Sequence, residues 1–265
     1  MRAIRTTAHL FAGALLLAGG AAQAALANYT AGGVNLVYDQ DRNLTWVADA
    51  NLFLTQYTAD NTTVGKIIAV VPTVPDSHSG PHTVVAGDFN TGSGLMTWWG
   101  AMAWTQWLGS IGYGGASDWR LPATAQPDST CGFQYPYSGF PLQGFGYRCT
   151  GSDLGHLFYT EGQLPAEESI LADPPGILDN HFVNMQSHVY WSVTEFAPDP
   201  PSAWSFHTNG GDQYAASKDA RFYGWAVRPG KVDAAPLPAT ALLMALGLLA
   251  LGVSRHGRRS TLVIW

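Results

Sequence analysis

Strand-length apolar pieces broken by turn residues make up most of the chain between residues 28 and 230, with one clear helical period among them. Over residues 33–49, Val34, Leu36 and Tyr38 alternate with other residues, positions 39–43 supply turn chemistry and residues 44–47 form a return strand. That pattern predicts a hairpin. Residues 58–94 are rich in Gly, Pro, Ser, Thr and Asp, and within them 66–74 and 82–89 read as short strands around a loop. Thr97 can cap a helix running to about Leu108, because its hydroxyl can accept a hydrogen bond from a free first-turn amide. Ala101, Trp104 and Leu108 share one face of that helix, and the glycines between 109 and 115 stop it. A second short helix begins near Ser152 and carries Leu154, Leu157 and Phe158. Beyond a Pro174-Pro175 linker come strand-like pieces at 189–194, 203–207 and 223–227, with Asn209-Gly210-Gly211 as a strong turn between the last two. The expected fold class is α+β, with a few short strands, one or two helices and long loops.

The two ends carry other patterns. Arg2 and Arg5 precede an apolar run over residues 10–18, and Ala22-Gln23-Ala24 places small residues where signal peptidase cuts. A signal peptide over residues 1–24 is expected, with cleavage before Ala25 or, as the second choice, after Ala27. At the other end, Pro236, Leu237, Pro238 and Ala239 lead into an apolar stretch over residues 240–253, followed by Arg255, Arg258 and Arg259. An apolar segment with trailing cations orients in a membrane with its basic end cytoplasmic. Residues 237–253 sit at the lower length limit for a spanning helix. The order of proline motif, apolar segment and arginine cluster resembles the PEP-CTERM sorting tails of Gram-negative bacteria, in their VPLPA variant. Leu237 departs from the Glu of the commoner motif, and residues 260–265 extend past the arginines. The resemblance implies an inner-membrane intermediate, cutting by an exosortase-type membrane protease, and a destination at the cell surface or in its exopolysaccharide matrix. The expected divisions are 1–24, 28–230 and 231–265.

Setting the ends aside changes the charge picture. Of the 13 Lys and Arg, six lie outside residues 28–230, against one acid, Asp233. The body therefore holds 7 bases and 18 acids, a net −11 against −6 for the whole chain. Nucleic acid needs a basic footprint and is not an expected partner, and an anionic polysaccharide would need bridging cations. Charged residues make up 12% of the chain and aromatics another 12%, which describes a compact, Trp-rich body and not a disordered stalk. Cys131 and Cys149 are the whole cysteine complement. In an exported chain they predict a disulfide, worth roughly 3 kcal/mol in the loop-entropy model.

Several stretches of the body form an ordered set. They are Leu44-Thr45-Trp46, the helix around Trp104, Asp118-Trp119-Arg120-Leu121-Pro122, Tyr190-Trp191-Ser192, and Trp225-Ala226-Val227-Arg228. In that order they resemble the Lcl C-terminal domain family, over roughly residues 33–230 apart from an insert-like segment at 58–94. The family is similar in fold to C-type-lectin-like and formylglycine-generating-enzyme-like domains. That likeness implies a small twisted antiparallel sheet, flanking helices and long ligand-facing loops. Trp119 and Leu121 would anchor a core strand that Pro122 ends, and Arg120 and Arg228 would pair with body carboxylates.

An enzymatic reading finds little to stand on. No Gly-x-Ser-x-Gly elbow, His-Glu-x-x-His helix or phosphate-binding glycine loop occurs. Residues 123–127 lack the acids and Trp that follow the motif in formylglycine-generating relatives, and Glu167-Glu168 read as a solvated pair. For metal, Asp39, Asp41 and Asn43 mimic the start of a calcium loop, but Leu44 and Ala50 replace its glycine and glutamate. His78 and His82 have ligand-like spacing without a completing partner, and His181 and His188 read as packing or surface residues. Asp199, Asp212 and Asp219 could bind calcium, but no complete motif supports a cofactor. For sugar, indole and phenol faces stack on C–H surfaces while polar neighbours orient hydroxyls. Ten Trp exceed the needs of the core, so one or two are expected to be exposed. Trp204, with His207, Asn209 and Asp212 around a turn, is the expected ligand site. The sequons at Asn28, Asn43 and Asn61 carry little meaning in a bacterium.

The expectation is a non-enzymatic surface or matrix protein associated with glycan or exopolysaccharide. Its rivals are a diverged hydrolase or formylglycine-type enzyme and a structural matrix component without a discrete ligand. The mature surface form is expected to lack residues 240–265, and replacing Arg255, Arg258 and Arg259 with Ser to leave protein misplaced or unprocessed. Mass spectra of the released protein check this, since an intact Trp265 would leave only a plain anchor.

Overall fold

The computed structural model describes residues 26–172 and 176–232. The expected signal peptide, the Pro174-Pro175 linker, the proline motif and the arginine cluster lie outside the described residues. Strands β1 (Leu26–Ala31), β2 (Val34–Asp39) and β3 (Leu44–Val47) form a meander. Its first turn uses Gly32 and Gly33 at φ +55° and +78°, a left-handed backbone that glycine adopts without steric cost. The second turn, at 39–43, joins the β2–β3 hairpin that the alternation predicts. Strand β1 was not expected, and it pairs Leu26 with Asp39 across the sheet.

The segment 58–94 departs furthest from expectation. Helix α1 (Leu52–Ala59) leads into the segment, and α2 (Thr63–Val70) overlaps the 66–74 stretch whose β-branched residues read as strand. Thr63, Val64, Ile67 and Val71 are the buried positions, a helical spacing that tertiary packing imposes over propensity. The two strands expected there shrink to two-residue pieces, β4 (Thr73–Val74) and β5 (His82–Thr83), and residues 86–88 make a single 3₁₀ turn. Helix α3 (Trp98–Ser110) begins as predicted, with the Thr97 hydroxyl accepting from the Gly100 amide at 3.2 Å.

A second sheet is built from β6 (Phe133–Tyr135), β7 (Gln143–Tyr147), β8 (Val189–Glu195), β9 (Ser202–His207) and β10 (Asp212–Ser217), in the order β6-β7-β10-β9-β8. The Asn209–Gly211 turn leads into β10 at once, not into residues 223–227 as expected. Gly211 sits at φ +83°, where a Cβ would come within 2.6 Å of Phe158 and Tyr159. Phe222 and Tyr223 make isolated bridges, residues 224–226 join no ladder, and β11 (Val227–Pro229) closes the first sheet beside β3. The Trp119–Pro122 motif likewise contributes one bridge, Arg120 to Val227, in place of a full strand. Helix α4 (Asp153–His156) starts beside Ser152 and passes into a π-helical turn over Leu157–Glu161. The architecture is α+β with antiparallel ladders. Among the described residues no helix is long and apolar enough to cross a membrane.

One core spans both sheets and α3. Arg228 and Asp118 pair through two hydrogen bonds of 2.7 and 3.1 Å, and Arg120 reaches Asp153 at 3.3 Å. Lys218 is fully buried, with Nζ 3.0 Å from Asp76, 3.6 Å from Glu195 and 4.7 Å from the centre of the Trp98 ring. It pins the 58–94 segment to the second sheet. Burial alone would raise the Asp76 carboxyl, but the His78 amide, Lys218 and the Trp99 indole hold it below the ordinary carboxylate range. Removing one partner of a buried pair leaves an uncompensated charge, so Lys218→Ala should cost about 3–5 kcal/mol in urea unfolding. A depressed folded pKa gives stability that is present above the unfolded value of about 3.9 and is lost as pH falls through the lower folded value. The wild-type protein should therefore lose more stability below about pH 4 than a Lys218→Ala, Asp76→Ala double variant does.

Candidate functional site

The hairpin expected to carry a ligand forms, but Trp204 does not face solvent. It is 1% exposed, with its ring 4.7 Å from Phe145 and 5.2 Å from Phe196. This corrects its assignment as a stacking residue, because a side chain closed over by two phenylalanines has no free face. The expectation of exposed tryptophans fails more generally. Eight described Trp are buried, and the ninth, Trp99, is half-buried, stacked on His82 and bonded to Asp76. Among the described residues, seven tryptophans join the main core, Trp99 packs against it, and Trp204 lies in a small separate cluster with Phe145 and Phe196.

The other three expected residues do sit together. His207 ends β9, Asn209 is exposed in the turn and Asp212 opens β10, where its carboxylate lies 3.4 Å from His207 Nδ1. Burial, with a smaller push from His188, holds the His207 imidazole below its ordinary value against the opposing pull of Asp212. At neutral pH it is an uncharged donor and acceptor beside a carboxylate. Such a pair can orient hydroxyl groups.

Tyrosines and a phenylalanine supply what Trp204 does not. Tyr214 is 45% exposed and its ring lies 6.0 Å from His207 and 6.1 Å from Phe145. From Phe145 the ring contacts continue to Tyr137 at 6.4 Å, to Tyr135 at 4.9 Å and to Phe133 at 6.1 Å. Phe133 and Tyr135 are 56% and 47% exposed and adjoin one another, and contiguous exposed apolar surface marks interaction sites. The result is an aromatic track running from the disulfide loop across β7 to the His207–Asp212 pair, floored by Phe145 and Trp204.

Local chemistry holds the loop in place. Cys131 and Cys149 are disulfide-bonded, as expected, and close the β6–β7 hairpin. The Asp128 carboxylate accepts the Thr130 and Gly151 amides at 3.0 and 2.9 Å. The Gln126 side chain brackets Gly144, accepting its amide at 2.7 Å and donating to its carbonyl at 3.2 Å. Sequence reasoning passed over Phe133, Tyr135 and Tyr137, although their alternation within a loop closed by cysteines is the period of one sheet face.

The other residues weighed in the sequence take structural places. Asp39 Oδ1 accepts the Arg42 amide, and Asn43 takes φ +50°, so the calcium-like run is a turn. His82 is held by Asp88 at 3.1 Å, and among the described residues no cluster of three ligand-type side chains includes His78, His82, Asp199, Asp212 or Asp219. His181 contacts Asn28 at 2.7 Å, His188 packs on Tyr223, and Glu167 and Glu168 are exposed. Two concavities of about 640 and 650 Å³ lie elsewhere and share Thr55 in their linings. The first is lined by Asn28, Asn35, Asp49, Tyr113 and His181, and burial with the nearby Asp49 charge pushes the Tyr113 hydroxyl up to about 12. Asp49 is already committed to the Asn51 amide, Thr55 and Asn184.

Residues 35–228 match the family model described as the Lcl C-terminal domain. No curated protein matches, and neither does any solved structure. Trp204→Ala is expected to cost about 3–5 kcal/mol and to lower the melting temperature by many degrees. Tyr214→Ala, at an exposed position, should change stability by no more than about 0.5 kcal/mol in the same calorimetric comparison.

Proposed function

Because the chain belongs to the Lcl C-terminal domain family, we propose that it is an exported, non-enzymatic protein of the cell surface or extracellular matrix that binds polysaccharide. The exposed aromatic track ending at His207 and Asp212 carries the proposal. Flat rings offered at successive contacts suit the C–H faces of successive sugars, and the uncharged imidazole and carboxylate beside them suit hydroxyls. The body's net −11 favours a neutral glycan over an acidic one, which the protein would repel. A lectin-like arrangement of the fold belongs to the same reading, in which long loops and a twisted sheet present a shallow surface. So do the exosortase-processed tail and the passage through the inner membrane, which rest on the end sequences.

Binding of the purified protein to a neutral-glycan array tests the function, with and without calcium. Tyr135→Ala and Tyr214→Ala should each weaken binding by roughly fivefold with unchanged melting, in line with the worth of an aromatic contact of about 1 kcal/mol. Asp49→Asn, in the separate cavity, should leave it unchanged. Loss of binding in Asp49→Asn alone would move the site to that cavity, and wild-type affinity in both tyrosine variants would reject the track.

A further inference from the structure

One cluster of ligand-type side chains lies apart from the aromatic face. Asp39 ends β2, His156 ends α4 and Glu161 ends the π-helical turn that follows. One ligand atom from each lies within 4.8 Å of the others. His156 Nε2 is 3.2 Å from Glu161 Oε1 and 3.9 Å from Asp39 Oδ2. Asp39 and Glu161 are buried, at 0% and 1% exposure.

Hydrogen bonding accounts for this arrangement only in part, through the 3.2 Å bond between His156 Nε2 and Glu161 Oε1. Asp39 Oδ1 accepts the Arg42 amide at 2.9 Å, but Oδ2 has no hydrogen-bond partner. A buried carboxylate oxygen left so is costly, and it is expected to be met by something. The Arg42 guanidinium does not meet it, because it is turned to the carbonyls of Thr150 and Ser152. The backbone geometry is equally specific. His156 and Glu161 are five residues apart, which an ordinary α-helix would place well around its axis from one another. The widened turn, closed by the Gly162 amide on the Leu157 carbonyl at 2.8 Å, brings both side chains to one side. Such π-helical turns recur at functional sites.

We propose that Asp39, His156 and Glu161 bind a divalent transition-metal ion of the zinc class. Two carboxylates match the charge of a dication. The imidazole favours a borderline ion over calcium or magnesium, which take oxygen. Zinc bonds of about 2.0–2.2 Å in a tetrahedral site hold neighbouring ligand atoms roughly 3.3 Å apart. The His156–Glu161 spacing already meets that, and Asp39 Oδ2 needs to close by roughly 0.6 Å. His156 keeps a narrow exposure to solvent, through which the ion and a water ligand enter. The ion would join the first sheet to α4, beside the links already made by Arg42 and by the Arg120–Asp153 pair.

The test uses the purified protein with its disulfide intact, stripped by chelator and titrated with Zn²⁺ alone. One equivalent of zinc should bind and raise the melting temperature, while Ca²⁺ at the same concentration should not. His156→Asn and Asp39→Asn should each weaken zinc binding by at least about tenfold, the loss typical of removing support from a metal site. If either variant does not fold, zinc X-ray absorption on the wild-type protein replaces it. A shell with one imidazole nitrogen and carboxylate oxygens supports the site, and an all-water or sulfur shell overturns it. Absence of bound zinc in the wild type, unchanged affinity in both variants, or equal stabilisation by calcium also overturns it. The aromatic variants leave this readout untouched, so failure here and failure of the glycan reading are separable.

Discussion

Buried indoles hydrogen-bonded to distant backbone are what the rest of the structure depends on. Trp98 Nε1 donates to the Ser192 carbonyl at 2.8 Å, Trp191 Nε1 to Met96 at 2.9 Å, and Trp225 Nε1 to Val47 at 3.0 Å. Each ring supplies apolar area to the core, and each N–H ties an element to one nearly a hundred residues or more away. The two sheets and α3 are thereby fixed in register with few ladder hydrogen bonds between them. A Trp in a core needs such an acceptor, because an unpaired buried N–H costs about 1–3 kcal/mol. Trp46 is the exception, with no acceptor for its Nε1. It is held instead by edge contacts with Trp225 at 5.2 Å and Phe182 at 6.4 Å.

With the tryptophans spent on the core, any stacking surface has to come from Tyr and Phe. The disulfide loop makes that surface workable. A Gly- and Pro-rich hairpin would not by itself hold Phe133 and Tyr135 in water, but the Cys131–Cys149 bond and the Asp128 and Gln126 hydrogen bonds restrain it. Rigid, exposed aromatics lose little freedom on binding, which is why a track of this kind can recognise a flexible polymer. Trp204 contributes from below, by fixing Phe145, and its role is support.

Buried charge follows a different logic in each place. Lys218 is surrounded by Asp76, Glu195 and the Trp98 face, so its charge is matched and the 58–94 segment is locked down. Asp39, His156 and Glu161 form the opposite case, two carboxylates and an imidazole with one oxygen left over. The first arrangement is complete as it stands, and the second is complete with a cation.

The sequence by itself determined the β2–β3 hairpin, the α3 cap at Thr97, the disulfide and the ion-paired arginines of the Trp119–Pro122 and Trp225–Gly230 motifs, because each depends on neighbours or on a single pairing choice. It also carried the family, since the ordered Trp and Arg motifs are local strings. Tertiary structure decided the rest. Val64 and Ile67 are β-branched yet helical, because their burial spacing is set by what packs on them. Trp204 and Tyr214 exchange the roles that composition suggests, since exposure depends on which strand lies over which ring. Asp39 and His156 stand 117 positions apart in the chain, so no spacing could announce them, and only the meeting of β2 with α4 and its π-helical turn brings them together.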